Sequence, residues 1–547
     1  MEIKKAKKLH AHLKEDRNSF EEYWKEVAKY VEPRRGYFEE DIRQDLGKRK
    51  DKDMINNRIL QAKRVAISGL YSGTVSSSRP WFKLETTDKK MMRVGAIRQW
   101  LFDCEEVIRR ILFTSNFYPS AVTAIDELIT FSTASMGHFD DDETIAHFKT
   151  PTIGRYYCLV DSKGNVVKYV LEQDMSAEEL EERFGRERLT AAAQQALANS
   201  TATKKFKIIQ IVEKNKDYDP DRLESEYKRY SSVIYQQDQT LDLMLEEKGF
   251  DEMPFYVMRW EVVADESYGY GAPGMVALGD HKGLQEEEKE KAIAIKTMSR
   301  PLLKGPATLK NFKVPQQQGI VAFDQFGANN TSLSPVYQTD PRIAELRQDM
   351  AAVETRINEA FFVDLFQSIS SLQGVQPRNE LEISQRNQES LTVLGPVLER
   401  FERDFMSKVL SRVFRQAFEA GELPEAPEEL QDQVLDIRFI SVLAQAQKSA
   451  EVSALERYIQ FGQAVAQFKP GALDKVDEDA AMELYGQLTG VNPSIVPDEE
   501  TVAEIRNQRA EAAAKQQEAE QNALQATANS QNAAALQQVT AATGGQE

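Results

Sequence analysis

The main constraint on the fold is that helix-type and strand-type periodicities occupy separate parts of the chain. Helix candidates, in which apolar residues recur every three or four positions, cover 8–32, 54–73, 91–114 and 118–134. Between 138 and 172, and again between 205 and 263, short runs of Tyr, Val, Ile and Phe alternate with turns, as in antiparallel strands. This segregation predicts an α+β fold that is predominantly helical and has no doubly wound parallel sheet.

Further segments complete this outline. Residues 176–200 are predicted to form one solvated helix between the two groups of strands. A helix at 274–299 is followed by the proline-rich stretch 300–341, which predicts a small β-containing excursion between two helices. A helix at 341–367 and a long helix at 380–420 come next.

The helix predicted at 341–367 carries an apolar seam. Its members step by three and four positions: Ile343, Leu346, Met350, Val353, Ile357 and Ala360. Such a seam occurs where helices pack side by side, and equally on one face of an ordinary core helix. The sequence leaves both interpretations open.

The charge balance limits the kind of partner this chain can have. Its 547 residues include 87 Asp and Glu and 69 Lys and Arg, a net charge of −18. This excess of acids argues against a free-standing nucleic-acid-binding protein, because such proteins neutralise phosphates with concentrated basic residues. It is compatible with a channel through which DNA slides, since such a channel must not hold phosphates tightly.

The cysteines and the two ends of the chain exclude several protein classes. Cys104 and Cys158 form no C-x-x-C pair, which predicts neither a disulfide framework nor a thiolate zinc site. The N-terminal stretch lacks the apolar region of a secretory signal, and no run approaches about 18 consecutive apolar residues, so no membrane segment is predicted. Beyond Asp498 the chain is rich in Ala, Gln, Asn and Glu, a composition that cannot offset its ordering entropy alone.

A glycine motif raises the question of kinase activity. GYGAPGMV at 269–276 matches the G-x-G-x-x-G-x-V pattern of a protein-kinase phosphate loop, and AIAIK at 292–296 resembles the lysine-bearing strand that follows such a loop. However, the last histidine is His281, and no R-D-x-x-x-x-N follows Lys296, so the catalytic loop that accepts the substrate proton is missing. The sequence therefore predicts a protein that is not an enzyme.

One cluster contains residues of the types that bind metals. Its members are His138, Asp140, Asp141, Asp142 and Glu143. Imidazole and carboxylate groups are common ligands of divalent metals. The stretch HFDDDET nevertheless falls where a hairpin turn is expected, and a solvated turn is the favoured interpretation. No metal and no cofactor are predicted.

Four segments resemble one protein family and occur in that family's order. They are MINNRILQAKRVAISGLYSGTVSSSRPWFKLE (54–85), ESYGYGAPGMVALGDHKGLQEEEKEKAIAIKTMSRP (266–301), INEAFFVDLFQ (357–367) and LTVLGPVLERFERDFMSKVLSRVF (391–414). The family is that of the portal proteins of short-tailed bacteriophages (podovirus type), which connect the head to the tail. Together the segments span roughly 50–420.

The resemblance implies a function in the virion. Identical subunits, usually twelve, would form a ring at one vertex of the capsid. Double-stranded DNA would enter through the ring's channel during packaging by the terminase and leave through it during genome ejection. The ring would bind the terminase first and the tail adaptor and nozzle proteins later, and it would contact the major capsid and scaffolding proteins.

The resemblance also implies a portal fold with a wing, stem, clip and crown. It assigns the wing to 1–266, the hinge and first stem helix to 267–300, the clip to 301–339, the second stem helix to 340–368, the tunnel loop and long wing helix to 369–420, the helical crown to 421–498, and a low-complexity tail to 499–547. The tail would form either a barrel helix or a disordered segment.

Individual residues receive roles from the same resemblance. Gly269, Gly271 and Gly274 would let the chain turn sharply and approach neighbouring backbone closely between wing and stem, with Pro273 at or near the first helical turn. Five cations would face the DNA channel or a partner: Arg300, Lys304, Lys310, Lys313 and Arg378. The cations near the clip would equally well pair with acids of a neighbouring subunit, and the loop near Arg378 would equally well be a surface connection.

The acidic, Ala- and Gln-rich C-terminal region supports one alternative function. A scaffold or an internal core protein, which is also an oligomeric virion component, has a comparable composition. The portal function is the leading hypothesis, and this one is the alternative.

Overall fold

The fold is α+β and predominantly helical, as predicted. The computed structural model describes residues 3–38 and 54–87, then 91–306 apart from short gaps, then 320–323, 334–335, 342–371 and 392–427, and shorter stretches from 430 to 531. The helices are α1 (Ile3–Val31), α2 (Arg58–Thr74), α3 (Gly95–Thr114), α4 (Phe117–Phe131), α5 (Ala177–Phe184), α6 (Ala191–Ala198), α7 (Pro273–Val276), α8 (Leu278–Ser299), α9 (Ile343–Ala360), α10 (Val363–Ser371) and α11 (392–419, with a π-helical turn at Glu402–Met406).

The strands form four sheets within the described part of the chain. They are β1 (Phe82–Thr86), β2 (Thr133–Asp141), β3 (Ile145–Lys149), β4 (Tyr156–Val160), β5 (Val166–Ser176), β6 (Lys205–Lys214), β7 (Tyr230–Gln236), β8 (Leu243–Phe250), β9 (Phe255–Arg259), β10 (Leu303–Pro306), β11 (Ile320–Phe323), β12 (Ser334–Pro335) and β13 (Leu435–Phe439). The largest sheet is antiparallel in the order β4-β5-β6-β7-β8, and a second antiparallel sheet has the order β3-β2-β9. The smaller sheets are β11-β10-β12 and β1-β13.

The chain divides into two compact units. The first contains Met1–Phe82, Glu106–Leu423 and Phe439–Glu451, and the second contains Lys83–Glu105, Pro424–Arg438 and Val452–Glu547. In the second unit, the Trp100 indole donates a hydrogen bond to the Pro424 carbonyl at 3.0 Å. The described residues 504–517 of this unit are helical and exposed, so this part of the low-complexity tail forms a helix without a buried face.

The five-stranded sheet of the first unit buries both of its faces. Because successive side chains of a strand point to opposite faces, neighbours such as Ile208 and Ile209 enter different cores. Ile209 packs with Leu13 on the face covered by α1, and Ile208 packs with Leu180 on the face covered by α5 and α6. The predicted strand periodicity therefore produces a three-layer arrangement of helix, sheet and helix.

Polar contacts also fix α1 on the sheet. The buried Arg17 donates a hydrogen bond to the Tyr156 carbonyl at 3.1 Å, and its guanidinium lies over the Tyr157 ring. Glu172 on β5 lies 2.8 Å from the ring nitrogen of His10 and 2.8 Å from the Lys207 ammonium. Burial favours a raised pKa for Glu172, but these two partners outweigh it and lower that pKa to about 2.

A charge cluster joins the ends of α1, α2 and α4. The nearly fully buried Lys63 of α2 pairs with Glu32, just beyond α1, and with Asp126 of α4. Arg35 binds the same Asp126 at 2.8 Å and the fully buried Glu127 at 3.2 Å. Since removing one partner would leave a buried charge unpaired, the cluster holds α4 in one position relative to α1 and α2.

Two predicted helices are each divided in the structure. The prediction of a single helix at 176–200 is wrong. The first helix, α5, ends at Gly185, whose φ of +79° lies in the left-handed region that glycine adopts easily. A separate helix, α6, begins after Thr190. The helix predicted at 341–367 is likewise interrupted at Phe362, whose φ is +54°. The buried Phe361 and the left-handed Phe362 separate α9 from α10, and α10 then packs against α2.

None of the helices in the described part of the chain has both the length and the apolar character that a membrane span requires.

The contact between α2 and α10 leads to a stability prediction. A methyl group on Gly69 would lie 2.2–2.5 Å from three atoms of the Phe366 side chain, which is 5% exposed. Gly69→Ala is therefore expected to lower the free energy of unfolding by about 1–2 kcal/mol, because the clash outweighs the gain in helix propensity. Urea denaturation followed by circular dichroism measures this change.

Gly279→Ala is the matched control, because Gly279 also lies in a helix but has open space around its Cβ position. It is expected to be neutral or stabilising by up to about 1 kcal/mol. Equal effects of the two substitutions would contradict the proposed packing of α2 on α10.

Candidate functional site

The candidate site is the junction segment, defined as residues 266–278, which leads from the strands into α8. Its position is set by Ser132, the residue that ends α4 with a left-handed φ of 61°. The Ser132 hydroxyl accepts a hydrogen bond from the Ala272 amide at 2.7 Å and donates one to the Met275 sulfur at 3.1 Å. The Ser132 carbonyl accepts from the Trp260 amide at 2.9 Å. One serine thus holds both β9's continuation and the first turn of α7.

The glycines of the junction segment lie against backbone. A Cβ on Gly269 would be 2.2 Å from the Ser132 carbonyl oxygen, and a Cβ on Gly274 would be 2.7 Å from the Thr130 carbonyl oxygen. Gly271 has a φ of +77°, which L side chains rarely adopt. The three glycines therefore allow close backbone approach at two points and a left-handed turn at the third.

The start of α7 and the turn before it are held by short-range contacts. Pro273 occupies the first helical turn after Ala272. A backbone N–H in this turn has no acceptor within the helix, so the N–H that proline lacks costs no helical hydrogen bond. Tyr270 and Glu261 exchange two backbone hydrogen bonds of 2.9 and 3.2 Å. The Tyr23 hydroxyl of α1 donates to the Met275 carbonyl at 3.3 Å. The junction segment is therefore attached to α1, α4 and the end of β9.

A second set of contacts fixes α8 beyond the junction segment; we call it the Gln285 link, formed by Ile55, Asn56, His281 and Gln285. The Gln285 Oε1 accepts hydrogen bonds from the Ile55 and Asn56 amides at 2.7 and 3.0 Å. Its Nε2 donates to the Asn56 carbonyl at 2.6 Å and to the His281 Nε2 at 3.1 Å. Burial lowers the pKa of His281 to about 4, so its imidazole is neutral at pH 7 and can accept this hydrogen bond.

Side-chain pairs extend this connection to α9. The Arg58 Nε donates to the side-chain Oδ1 of Asn358 at 3.0 Å, and the Arg356 guanidinium binds the Asp280 carboxylate at 3.0 Å. Thus α2, α8 and α9 are linked by polar side chains as well as by packing. The arrangement positions two helices relative to the strand region.

The structure explains why the glycine motif is not a phosphate loop. The close contacts of Gly269 and Gly274 are with carbonyl oxygens of the same chain, which would repel a phosphate. The segment passes directly into helices rather than into a second strand. Lys296, the counterpart of the kinase lysine in the sequence pattern, lies exposed on α8.

The residues of the candidate metal cluster, for which a solvated turn was the favoured interpretation, have other roles. His138 is fully buried; its Nε2 donates to the Gln416 Oε1 at 2.7 Å, and its Nδ1 lies 2.9 Å from the Tyr256 hydroxyl. Asp141 accepts hydrogen bonds from the amide and hydroxyl of Thr144, which close the β2–β3 turn. Across the residues that the structure describes, no group of His, Cys, Asp and Glu is arranged to hold a metal.

The predicted cations are only partly described. Arg300 is exposed at the C-terminal end of α8, and the half-buried Lys304 lies on β10. Lys310, Lys313 and Arg378 lie outside the described residues. The structure thus brings together the four predicted junction residues but does not test the roles assigned to the cations.

Sequence reasoning missed Ser132, Asn56 and Gln285. Their partners lie far along the chain: 140 positions separate Ser132 from Ala272, and 229 separate Asn56 from Gln285. A single polar residue in a helix or turn gives no sign of such a partner. The glycines next to the junction helix were the only local signal of a close backbone contact.

Comparison with known proteins places this geometry in context. The family described as "Bacteriophage head to tail connecting protein" matches residues 3–496. The chain is 33% identical over 504 residues to the "Portal protein" of Salmonella phage epsilon15, and the aligned region covers 92% of this chain and 90% of that relative. It is 30% identical over 514 residues to the "Probable portal protein" of Bordetella phage BPP-1, and the aligned region covers 94% of this chain and 91% of that relative.

Among solved structures, the chain aligns with one titled "Neck of empty GTA particle computed with C6 symmetry", at 11% identity and a TM-score of 0.32, over 75% of this chain and 90% of the other. A second, "Virion of native gene transfer agent (GTA) particle", aligns at 10% identity and a TM-score of 0.34, over 80% of this chain and 94% of the other.

The Gln285 link leads to a prediction for this site. Gln285→Ala removes the partner of two amides and one carbonyl of the 55–56 turn, and is expected to lower the free energy of unfolding by about 1–3 kcal/mol. Hydrogen exchange should also speed up at the Ile55 and Asn56 amides. Urea denaturation and amide-exchange mass spectrometry measure the two effects.

Glu286→Ala is the control, because Glu286 is the exposed neighbour of Gln285 in the same helix. It is expected to change the free energy of unfolding by less than about 0.5 kcal/mol. Unchanged exchange at Ile55 and Asn56 in the Gln285→Ala protein would show that the link does not hold this turn.

Proposed function

Because this chain belongs to the family of bacteriophage head-to-tail connecting proteins, we propose that it is a portal subunit. In this function it forms a ring at one vertex of the capsid, and the channel of the ring admits DNA during packaging and releases it during ejection. The single observation that carries the proposal is the similarity, over nearly the whole of both chains, to the portal protein of Salmonella phage epsilon15. The scaffold or internal core alternative does not fit this family.

The family assignment gives the parts of the subunit their proposed roles. The strand region with α1–α6 corresponds to the wing, and α8 and α9 correspond to the two stem helices. The three-stranded sheet β11-β10-β12 falls within 301–339, the proposed clip. The tunnel loop proposed after α10 falls mainly on residues outside the described part of the chain. The junction segment, with Gly269, Gly271, Pro273 and Gly274, is then the hinge between wing and stem.

Ring assembly is supported by the exposed apolar residues of α8. Ile293 is 62% exposed, Met298 is 49% exposed and Ile295 is 42% exposed. Ile293 and Ile295 are two positions apart, about 200° around the helix axis, so they lie on nearly opposite sides. Ile295 and Met298 are three positions apart and share one side of the helix, while Ile293 lies on the other, so both sides present apolar side chains. Neighbouring copies on both sides of the subunit would cover them, as expected for a closed ring with two different faces per subunit.

The ring would consist of about twelve copies, and its partners would act in sequence. The terminase would bind the clip during packaging, and the tail adaptor and nozzle proteins would bind there later. The major capsid and scaffolding proteins would surround the wing. Arg300 and Lys304 are placed near the proposed clip, where they would meet either DNA or one of these partners. None of these tasks requires a catalytic residue.

Electron microscopy of the purified protein tests the ring. Closed rings of about a dozen subunits with an open central channel are expected. A protein that stays monomeric in native mass spectrometry at micromolar concentration would refute the proposed function.

The role of α8 is tested by Ile293→Asp. A charge at an apolar contact between subunits is expected to weaken association by at least about 100-fold, because it must be desolvated without a partner. The fold of the subunit should persist, since Ile293 is exposed in the isolated chain. Analytical ultracentrifugation and circular dichroism measure the two properties. Lys296→Ala, three residues away and also exposed, is the control and should assemble normally.

A deletion tests the proposed clip. Removal of roughly 304–334 should leave the wing folded, because the strands β2–β9 and their helices lie outside it. Binding to the terminase and to the tail adaptor should be lost. Pull-down assays with these proteins measure the change, and retained binding would reject the clip assignment.

A further inference from the structure

A cleft of about 960 Å³ lies on the first unit, away from the junction segment. Its walls are the β2–β3 hairpin, the five-stranded sheet, the loop at 218–228 and the C-terminal part of α11. Gln210 and Ser232 form part of its floor, where the Gln210 amide donates to the Ser232 hydroxyl at 3.2 Å. The size fits a short polypeptide segment or a ligand of similar volume.

Arg412, in the wall of this cleft, is a buried cation whose contacts in the described part of the chain are the Phe250 ring, 5.9 Å from its guanidinium, the Tyr256 hydroxyl and one distant carboxylate. Its side chain is 3% exposed, and its Nη2 lies 3.8 Å from the Asp140 carboxylate, beyond hydrogen-bond distance. Its Nε and Nη1 have no hydrogen-bond partner within the described part of the chain. Asp140 is itself 75% exposed and already accepts a hydrogen bond from Gln416. A buried guanidinium in this state is costly unless an acceptor reaches it.

Lys149 is a second cation in the cleft whose partner is not a carboxylate. Its ammonium contacts the neutral amide oxygen of Gln173. Enclosure by the cleft walls, followed by the charges of Arg183 and Arg155, lowers the pKa of Lys149, although its side chain remains accessible. Lys149 is therefore a second cation of the cleft whose observed hydrogen-bond partner is a neutral group.

Other cations of the cleft are matched by acids of the same chain. Arg415 binds Glu252 at 3.1 Å, Lys228 binds Asp251 at 3.1 Å, and Lys248 binds Glu246 at 2.7 Å. These acids, together with Asp141 and Asp142 on the hairpin, would repel a polyanion such as a nucleic acid. The cleft thus favours a ligand with one or two carboxylates at defined positions.

We propose that an acidic polypeptide segment of a neighbouring copy enters this cleft and that its carboxylates bind Arg412 and Lys149. The inference rests on the proposed ring, which places a second copy beside each subunit. Such a copy is a ready source of acidic segments, because the chain has 87 Asp and Glu against 69 Lys and Arg. A carboxylate would give the free N–H groups of Arg412 charge-assisted hydrogen bonds that its own chain does not provide.

Arg412→Gln separates this contact from a role within the subunit. In the dissociated subunit, obtained by dilution, the variant should unfold at the same urea concentration as the wild type or a higher one, because it removes an unpartnered buried charge. In the ring, subunit association should weaken by at least about tenfold, as measured by native mass spectrometry over a dilution series. Lys149→Gln, at an accessible position, should weaken the ring in the same way without affecting folding.

Arg415→Gln is the matched control, because Arg415 lies on the same helix and is paired within its own chain. It should leave ring association within about twofold of wild type. Unchanged ring association in both Arg412→Gln and Lys149→Gln would overturn the inference while leaving the portal function intact. Unfolding of the dissociated Arg412→Gln subunit at clearly lower urea would also overturn it. Failure of the wild type to form rings would reject the proposed function and this inference together.

Discussion

The left-handed turn at Ser132 is the constraint on which the arrangement of the first unit depends. It ends α4 and starts β2 at once, so the central strand of one sheet begins where a core helix stops. The same residue binds the Ala272 amide and the Trp260 amide. Because the buried Lys63 and the partly exposed Arg35 fix α4 through Asp126, the position of the junction segment follows from charges near the same end of that helix, six residues before Ser132. The start of α8 is therefore positioned by α4, and the Gln285 link fixes the helix further along.

Polar groups specify the relative positions of the helices more strictly than apolar packing does. An apolar surface tolerates small shifts, whereas a buried amide or carboxylate that loses its partner costs about 1–3 kcal/mol. Gln285 satisfies two amides and one carbonyl of a turn more than 200 positions away, and such a set is complete in one geometry only. A single fixed geometry of the helices suits a ring, because every copy of the subunit must present the same surface to its neighbours.

Periodicity was enough to predict most helices and strands, but not their breaks or their partners. The first helix was predicted at 8–32 and observed at Ile3–Val31, because its apolar residues pack in the core, Leu9 and Leu13 on the sheet and Trp24 on Tyr268. Two predicted helices are each divided at a single residue with left-handed backbone, Gly185 in one and Phe362 in the other. The spacing of apolar residues does not reveal such a break, because the period of three to four residues is the same on both sides of it. The glycines near α7 indicated close backbone contact, but the contacted carbonyls of Ser132 and Thr130 could not be inferred from local sequence. Contacts over such distances depend on the completed fold.

Two features in the described part of the subunit are unfavourable when the subunit is isolated: exposed apolar side chains on α8 and unmatched hydrogen-bond donors on Arg412. Both favour association with another copy. The C-terminal half of α8 exposes apolar side chains on opposite sides of the helix, which no single neighbouring element of the same chain can cover. Arg412 leaves donors of a buried charge unmatched, which no apolar contact can correct. The proposed heterologous ring interface would resolve both, since it would bring one apolar and one charged surface of a second copy to defined places on the first. On this argument, part of the free energy that would otherwise stabilise the monomer is available only on assembly, so the ring is favoured over the free subunit.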